Sequence, residues 1–396
     1  MESRLASTLT ILSVAFTAIA AAFIVVGPAT AFSLGAISAL AMIAWAWAGS
    51  PRADVSNGVV APYLLCIPLL LVLDTIRYMS GWIGYLEATH KSLFAATFAL
   101  IDANWFVVFV VFPVTLILFG GHFLSTRQPI GHYMAWWTGL YVIGEGLLQF
   151  TADSLGDRPF NAYTAAGSLA ALSLLLTGLV ICQRLLSERA AALAPEPEPM
   201  TMRQLNLWSA LFIAFAAVYA VTLFSQAGPL PVIVIVGSML GGFIGWRLTT
   251  AKLSADPAWA VPMFLILLAL FYVHIGEEAL TNFNQAISSI SGTPWSDYDF
   301  TLLIGLAGPV VWFFAAWSLW RRQPIGNFIF WFLIIGMILG EPTHFVVFPV
   351  VAMQKFGIGY AYFSGMYTAL FPMIPAIMAL ATIIAEHRGR GGATLP

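Results

Sequence analysis

The sequence predicts an all-α, polytopic membrane protein with about twelve transmembrane helices in two parallel repeats of six. Composition predicts the class, because 60% of the 396 residues are hydrophobic and only 9% are charged, whereas soluble domains carry about a quarter charged residues. The mean hydropathy of +0.89 agrees with this class. The repeat is predicted by a motif, RQPIG, that occurs at residues 127–131 and again at residues 322–326.

Twelve stretches have the length and apolar character of a bilayer crossing, which needs about 20 residues. The predicted spans are 6–26, 31–48, 59–79, 103–121, 130–151, 161–186, 207–226, 229–247, 258–282, 300–320, 325–352 and 358–386. Residues 187–203, rich in proline and glutamate, cannot bury a core and are predicted to be a cytoplasmic linker. The linker separates an N-terminal half, 1–186, from a C-terminal half, 204–390.

The basic residues predict the orientation of the chain. With a cytoplasmic N-terminus, only 4 of the 16 Lys and Arg residues fall outside, and these are Arg77, Lys91, Arg158 and Lys355. Cytoplasmic loops carry an excess of Lys and Arg, so both termini are expected in the cytoplasm. The membrane is expected to be a bacterial inner membrane or the endoplasmic reticulum. The first apolar stretch lacks an A-x-A-type cleavage site and is therefore expected to remain as a helix.

Charge and cysteine content give no indication of nucleic-acid binding, a disulfide or a zinc site. The net charge of −2 gives no indication of nucleic-acid binding. Cys66 and Cys182 each lie in an apolar stretch, so they are interpreted as small core residues and not as a disulfide or a zinc site.

The ninth predicted span carries ionisable residues that an apolar helix does not need. In the stretch FYVHIGEEAL, His274, Glu277 and Glu278 stand at positions i, i+3 and i+4, so a helix presents them on one face. The rise of about 1.5 Å per residue puts His274 about 24 Å from the inner end of the span. A charge at such a depth costs several kcal/mol unless it is paired or faces a cavity.

Two further acidic segments are predicted at the same depth. Glu341 and His344 stand at i and i+3 in the eleventh span, where Pro342 loosens the helix. Asp297 and Asp299 open the tenth span on the same side. These residues meet if the three helices pack together.

Three interpretations of this cluster remain open. The first is proton transfer, because a histidine facing carboxylates can hold a proton and a buried carboxyl can stay neutral. The second is a metal site, in which the five side chains His274, Glu277, Glu278, Glu341 and His344 serve as ligands, as in di-iron carboxylate bundles. The third is a structural network of hydrogen bonds between helices.

Aromatic residues of the same half are candidates for lining an apolar pocket, where ring faces stabilise a developing cation. These candidates are Trp312, Trp317, Trp331, Tyr362, Tyr367 and Phe371. Packing in the membrane core explains aromatic residues equally well.

The N-terminal half lacks a His–Glu pair. It offers Asp74 and Arg77 where the second half has HIGEE, and Glu145 as the counterpart of Glu341. The first half is therefore predicted to be a structural or regulatory copy. His90, His122 and His132 have no acidic partner at helical spacing and are interpreted as loop or interface residues.

The second half resembles the EXPERA domain, the family of the emopamil-binding protein (a sterol isomerase), the sigma-2 receptor and the transmembrane-six superfamily. The resemblance covers Trp259 to His387. It rests on the order and spacing of His274 and Glu278, Asp299, GPVVW, RQP, Gly340 with Glu341, YAYF and TALFPMIP. Residues 59–186 resemble a diverged second copy, and each copy is expected to form a four-helix bundle.

The resemblance implies roles for particular residues. In the isomerase of this family, a His and a Glu move a proton onto and off a sterol double bond while an aromatic ring steadies the carbocation. By position, His274 and Glu278 match the first-helix pair, and Asp299 stands near the second acid. Phe371 stands in the place of a tryptophan. His344 replaces a position that is usually aromatic, and Glu277 is additional.

The expectation from the sequence is an enzyme that acts through a carbocation on a sterol- or isoprenoid-like lipid, by isomerisation or cyclisation. The expected catalytic residues are His274, Glu277, Glu278, Asp299, Glu341 and His344, and the expected substrate-binding residues are Trp312, Tyr362, Tyr367 and Phe371. No cofactor is expected, and the expected partners are the bilayer and a hydrophobic lipid. The alternatives are a non-catalytic lipid-binding protein and a di-metal membrane oxidoreductase.

Overall fold

The computed structural model describes residues 9–13, 15–16, 19, 28–48, 53–82, 106–155, 161–187 and 199–392, and these are helices and short connections with no β-strand. Most of the predicted span 6–26 and most of the linker lie outside the described residues. The chain divides into two compact units, Met1–Leu193 and Ala194–Pro396.

The first unit contains five long helices in its described part. They are α1 (Pro28–Ala48), α2 (Ala53–Met79), α3 (Phe112–Ser125), α4 (Pro129–Leu155) and α5 (Ala162–Ser187). A short π-helix, Val107–Val111, leads into α3. Helices α2, α4 and α5 pack against one another.

The described residues of the second unit, 199–392, contain nine α-helical segments. They are α6 (Met202–Ala227), α7 (Pro229–Leu248), α8 (Pro257–Leu280), α9 (Phe283–Ser291), α10 (Asp297–Phe300), α11 (Gly308–Trp320), α12 (Pro324–Leu339), α13 (Val347–Phe356) and α14 (Leu370–Gly392). A π-helix, Thr301–Ala307, joins α10 to α11, and a 3₁₀ turn, Glu341–His344, follows α12. Helix α8 packs against α11 and α14, and α12 packs against α7, α11 and α14.

Eight continuous helical stretches of the described part, two of which join several of the elements above, have the length and apolar composition to cross a membrane. They are Gly58–Met79, Ala162–Ser187, Met202–Ala227, Pro229–Leu248, Pro257–Leu280, Asp297–Trp320, Pro324–Phe356 and Leu370–Gly389. Two shorter apolar helices, Leu34–Ala48 and Phe112–Ser125, overlap two more of the predicted spans. A multi-pass membrane protein follows from these helices.

The two last spans differ from their predicted form. The eleventh, 325–352, is interrupted after Leu339, because Pro342 lacks an N–H and the chain there forms a 3₁₀ turn. The twelfth, 358–386, becomes helical only at Leu370. Residues 357–369, which we call the Gly365 loop, are not α-helical. Three glycines of this loop and the tyrosines between them favour such a non-helical path.

The two RQPIG segments adopt the same turn. Arg127 and Arg322, the first residue of each motif, have φ of 59° and 56°, a region that non-glycine residues rarely enter. Gln128 and Gln323 each donate their N–H to the carbonyl five positions earlier, at 2.9 and 2.8 Å. In each unit the turn joins two helices, and the proline of the motif begins the second helix, where its missing N–H costs nothing.

Candidate functional site

A cavity of about 120 Å³ lies inside the second unit, between α7, α8, α9, α11 and α12. Most of its wall is apolar. Its aromatic residues include Phe271, Phe283, Trp295, Trp312, Phe332 and Phe348. The ionisable residues of the wall are His274, Glu278, Glu341 and His344. The cavity therefore has an apolar wall that carries one cluster of ionisable side chains.

Those four side chains form a chain of alternating carboxylates and imidazoles. His274 Nε2 lies 2.9 Å from Glu341 Oε2 and 3.6 Å from Glu278 Oε1. The same Glu278 oxygen lies 3.5 Å from His344 Nε2. In the order Glu341–His274–Glu278–His344, only the His274–Glu341 contact is within hydrogen-bond distance. Proton transfer through the two longer contacts of Glu278 needs a small side-chain shift or one bridging water.

Helix geometry and the proline break bring these residues together. His274 and Glu278 are one turn apart on α8, so they share a face. Glu341 and His344 begin and end the 3₁₀ turn that Pro342 imposes after α12. A turn of three residues brings positions i and i+3 to the same side. Both residues of the turn are therefore buried against α8, each with 5% of its surface exposed.

The Gly365 loop packs against both imidazole rings. The ring centroids of His274 and His344 are 4.8 Å apart, with the planes nearly perpendicular. Gly365 has φ of 82°, and a Cβ added there would lie 2.7 Å from the ring of His344 and 2.8 Å from that of His274. Only glycine combines this backbone angle with such a close approach.

Glu341 carries an unsatisfied oxygen. Its Oε2 atom has no hydrogen-bond partner of good geometry among the described residues, although His274 Nε2 is close. The contact is therefore an ion-pair contact in which the N–H does not aim at the oxygen. A buried carboxylate with a spare lone pair on a cavity wall is a candidate to take a proton from a ligand.

The nitrogens and oxygens of this patch also suit a metal ion. One donor atom each from His274, Glu278 and His344 lies within 4.8 Å of the other two. Imidazole nitrogen and carboxylate oxygen are ligands of Zn²⁺ and related ions. The five-ligand set of the di-metal interpretation is not assembled, because Glu277 turns to the Gly365 loop, where its carboxylate accepts hydrogen bonds.

Of the other residues predicted for the site, one lines the cavity and the others lie elsewhere. Trp312 lines the cavity, whereas Tyr362, Tyr367 and Phe371 do not and are partly or largely exposed. Asp299 also lies off the cavity wall. It is the third residue of the α10 segment, where its Oδ2 accepts a hydrogen bond from Ser296 Oγ at 2.5 Å. A serine three residues before an acidic residue is the usual pattern of a helix N-terminus.

Sequence reasoning missed the polar residues of the Gly365 loop. His344 Nδ1 lies 2.7 Å from the carbonyl oxygen of Ser364, and His274 Nδ1 lies 3.2 Å from Thr368 Oγ1. Thr281 and Ser364 are joined by a further hydrogen bond between their hydroxyls. The adjacent glycines and aromatic residues of the loop were the available signal that this segment is not a regular helix.

The first unit contains a different buried cluster between α2 and α4. Arg77 contacts Asp74 at 3.2 Å and Glu145 at 2.7 Å, donates to Gln149 at 2.9 Å and stacks over Trp82. Here one guanidinium contacts two carboxylates, and Asp74 Oδ2 has no hydrogen-bond partner among the described residues. Arginine does not release its proton in proteins, so this cluster suits structural cross-linking.

Comparison of the chain with models of known protein families, with curated proteins and with solved structures finds no match in any of the three. The resemblance to the EXPERA domain therefore stays a prediction from the motifs.

Proposed function

We propose that the second unit protonates a carbon–carbon double bond of a sterol- or isoprenoid-like lipid and then removes a proton from a neighbouring carbon. The observation that carries the proposal is the alternating chain of two carboxylates and two imidazoles on the wall of an otherwise apolar cavity. An apolar wall disfavours bound water, which favours a reaction through a cation that water would otherwise trap.

The reaction is balanced without a co-reactant. The π electrons of the double bond form a C–H bond with a proton from the His274–Glu278 pair, and the other carbon becomes a cation. A base of the same chain then takes a proton from the adjacent carbon, and the electrons of that C–H bond form the new double bond. Glu341, with its spare lone pair, is suited to the second step. If another double bond attacks the cation first, the product is a ring.

The size of the cavity limits what enters it. Its volume of about 120 Å³ is similar to that of the roughly 150 Å³ apolar cavity that takes up benzene. One ring or one isoprene unit fits next to His274, while the rest of the lipid extends beyond it. Trp312 and Phe271, whose ring centroids are 5.6 Å apart, both line the cavity, and aromatic rings there suit a passing positive charge.

The proposal also includes the arrangement of the helices in repeats and the orientation of the chain in the membrane. The chain is composed of two parallel six-helix repeats, each with an EXPERA-like bundle, and the matching RQPIG turns support this. Both termini face the cytoplasm, and the first unit serves as a structural copy. The membrane is a bacterial inner membrane or the endoplasmic reticulum.

Identification of bound lipid is the experiment that tests this function first. The purified protein is extracted and its lipids are identified by mass spectrometry. The protein is then incubated in heavy water with two probes, a sterol with a ring double bond and a linear polyprenol. A product with a shifted double bond or a new ring supports the proposal. Bound lipid with no conversion of either probe or of the co-purified lipid supports a non-catalytic lipid-binding protein instead.

A second candidate function uses a single metal ion, and the convergence of His274, Glu278 and His344 favours it. With a bound ion these residues would be ligands and the chemistry would be metal-assisted. Elemental analysis separates the two functions. About one equivalent of a transition metal per chain, lost on replacement of His274 by alanine together with activity, supports the metal-dependent reaction.

A further inference from the structure

Glu277 stands next to Glu278 in sequence but makes different contacts. Four donors of the Gly365 loop surround its carboxylate. Oε1 accepts from Tyr362 OH at 2.6 Å and Tyr367 N–H at 3.1 Å, and Oε2 accepts from Thr368 N–H at 2.7 Å and Thr368 Oγ1 at 2.5 Å. An ionised carboxylate has about four lone-pair sites and no proton to donate. The four donors therefore match an ionised Glu277.

The hydroxyl of Thr368 connects this carboxylate to His274. A hydroxyl has one proton, and the proton of Thr368 goes to Glu277. The oxygen of Thr368 is consequently an acceptor for its other neighbour, His274 Nδ1, at 3.2 Å. An acceptor at this distance requires that Nδ1 of His274 carries a proton.

We infer that Glu277 and Thr368 are positioning residues that fix the proton of His274 on Nδ1 and so direct its Nε2 atom to proton exchange with Glu341 and Glu278. Glu277 does not line the cavity and acts only through Thr368. The assignment of protons follows from hydrogen bonds alone. Its effect on turnover rests on the proposed function.

The Gly365 loop also fixes the position of the proton on the second histidine, His344. The carbonyl of Ser364 can only accept, so Nδ1 of His344 carries a proton as well. Both imidazoles therefore direct Nε2 toward the shared Glu278. A carboxylate that holds a histidine through its outer nitrogen fixes the tautomer and raises the basicity of the inner nitrogen. The Gly365 loop thus orients both rings from outside the cavity.

The position of the proton on His274 is measured by nuclear magnetic resonance of the full-length protein in lipid bilayers, labelled with ¹⁵N-histidine. Subtraction of the spectrum of His274→Gln assigns the signals. We expect a protonated Nδ1 in the wild type and a decrease of that signal in Glu277→Leu. Leucine offers no acceptor to the hydroxyl of Thr368, which can then turn its proton toward Nδ1. An unprotonated Nδ1 in the wild type, or an unchanged spectrum in Glu277→Leu, overturns the inference.

Two variants of Thr368 test the effect on turnover. Thr368→Val keeps the shape but removes the hydroxyl, and we expect a drop in kcat of about 10- to 100-fold with little change in KM. Thr368→Ser restores the hydroxyl and should restore most of kcat, which a purely steric role of the threonine methyl would not produce. The assay uses whichever of the sterol or polyprenol probes is converted.

Tyr360→Phe is the matched control for general loosening of the loop. It removes the hydrogen bond from Tyr360 OH to the carbonyl of Phe345 at 2.7 Å, which does not involve Glu277. Equal losses of kcat in Tyr360→Phe and Thr368→Val would overturn the positioning role. If neither probe is converted but Nδ1 is protonated and responds to Glu277→Leu, the inference stands and the proposed reaction fails.

Discussion

Nε2 of His274 and Oε2 of Glu341 lie 2.9 Å apart, although one residue belongs to α8 and the other to the turn after α12. This contact joins the acid–base residues of two helices on the wall of one cavity. Glu278 links the same histidine to His344. The proposed chemistry depends on this connection.

Replacement of Gly365 by alanine should disrupt the site from outside the cavity. The new Cβ would overlap both imidazole rings, and its backbone angle costs an alanine about 1–2 kcal/mol. We expect a lower midpoint of thermal unfolding in detergent and a loss of turnover.

The matched control is Gly357→Ala, because Gly357 has φ of 66° but no atom within 4 Å of an added Cβ. It incurs only the cost of the backbone angle, so it should show a smaller fall in stability and retain turnover. Equal retention of turnover in both variants would contradict the view that contact between Gly365 and the rings matters.

Replacement of Trp312 by leucine should slow the reaction by removing an aromatic face from the cavity. Cation–π stabilisation of about 0.5–2 kcal/mol corresponds to roughly a 2- to 30-fold loss in kcat. Trp312→Phe should lie between the wild type and the leucine variant. Trp317→Leu, outside the cavity wall, serves as the control, and a loss of kcat as large as that of Trp312→Leu would argue against cation stabilisation by this ring.

The buried cluster of the first unit should matter for stability and not for chemistry. Glu145→Gln removes one charge partner of Arg77 at 2.7 Å while Asp74 remains at 3.2 Å, and loss of one hydrogen bond between charged groups costs about 1–3 kcal/mol. We expect a clear decrease in the midpoint of thermal unfolding while kcat of the folded protein is retained. Complete loss of product with an unchanged midpoint would show that the first unit is a second working site.

Sequence reasoning recovered the membrane class and part of the site. The apolar stretches predicted the helices because a bilayer crossing has a fixed length and composition. Helical spacing predicted that His274 and Glu278 share a face, because those positions lie within one uninterrupted helix. Their approach to Glu341 and His344 was predicted from matched depth, and it requires packing that spacing alone does not specify.

The remaining differences come from non-helical backbone. The Gly365 loop was predicted as part of a helix, since its residues are apolar and aromatic. Its polar contacts could therefore not be predicted. Asp299 was expected in the cluster from its depth, but its carboxylate pairs with Ser296 at the start of α10. Hydropathy identifies a segment that lies in the membrane, but it does not identify the residue at which a helix begins within that segment.

The most direct test of the central claim compares the wild type with Glu278→Gln and His274→Ala in heavy water, with the probe that the wild type converts. The account predicts that deuterium enters the product at the protonated carbon. It also predicts that each variant lowers turnover by about 10²–10⁴-fold, while lipid binding changes little, because the apolar cavity supplies most of the affinity. Glu278→Gln keeps the shape of the side chain, so its loss of activity reports proton transfer and not packing. Product formed at the wild-type rate by both variants, or formed without solvent deuterium, would contradict the account.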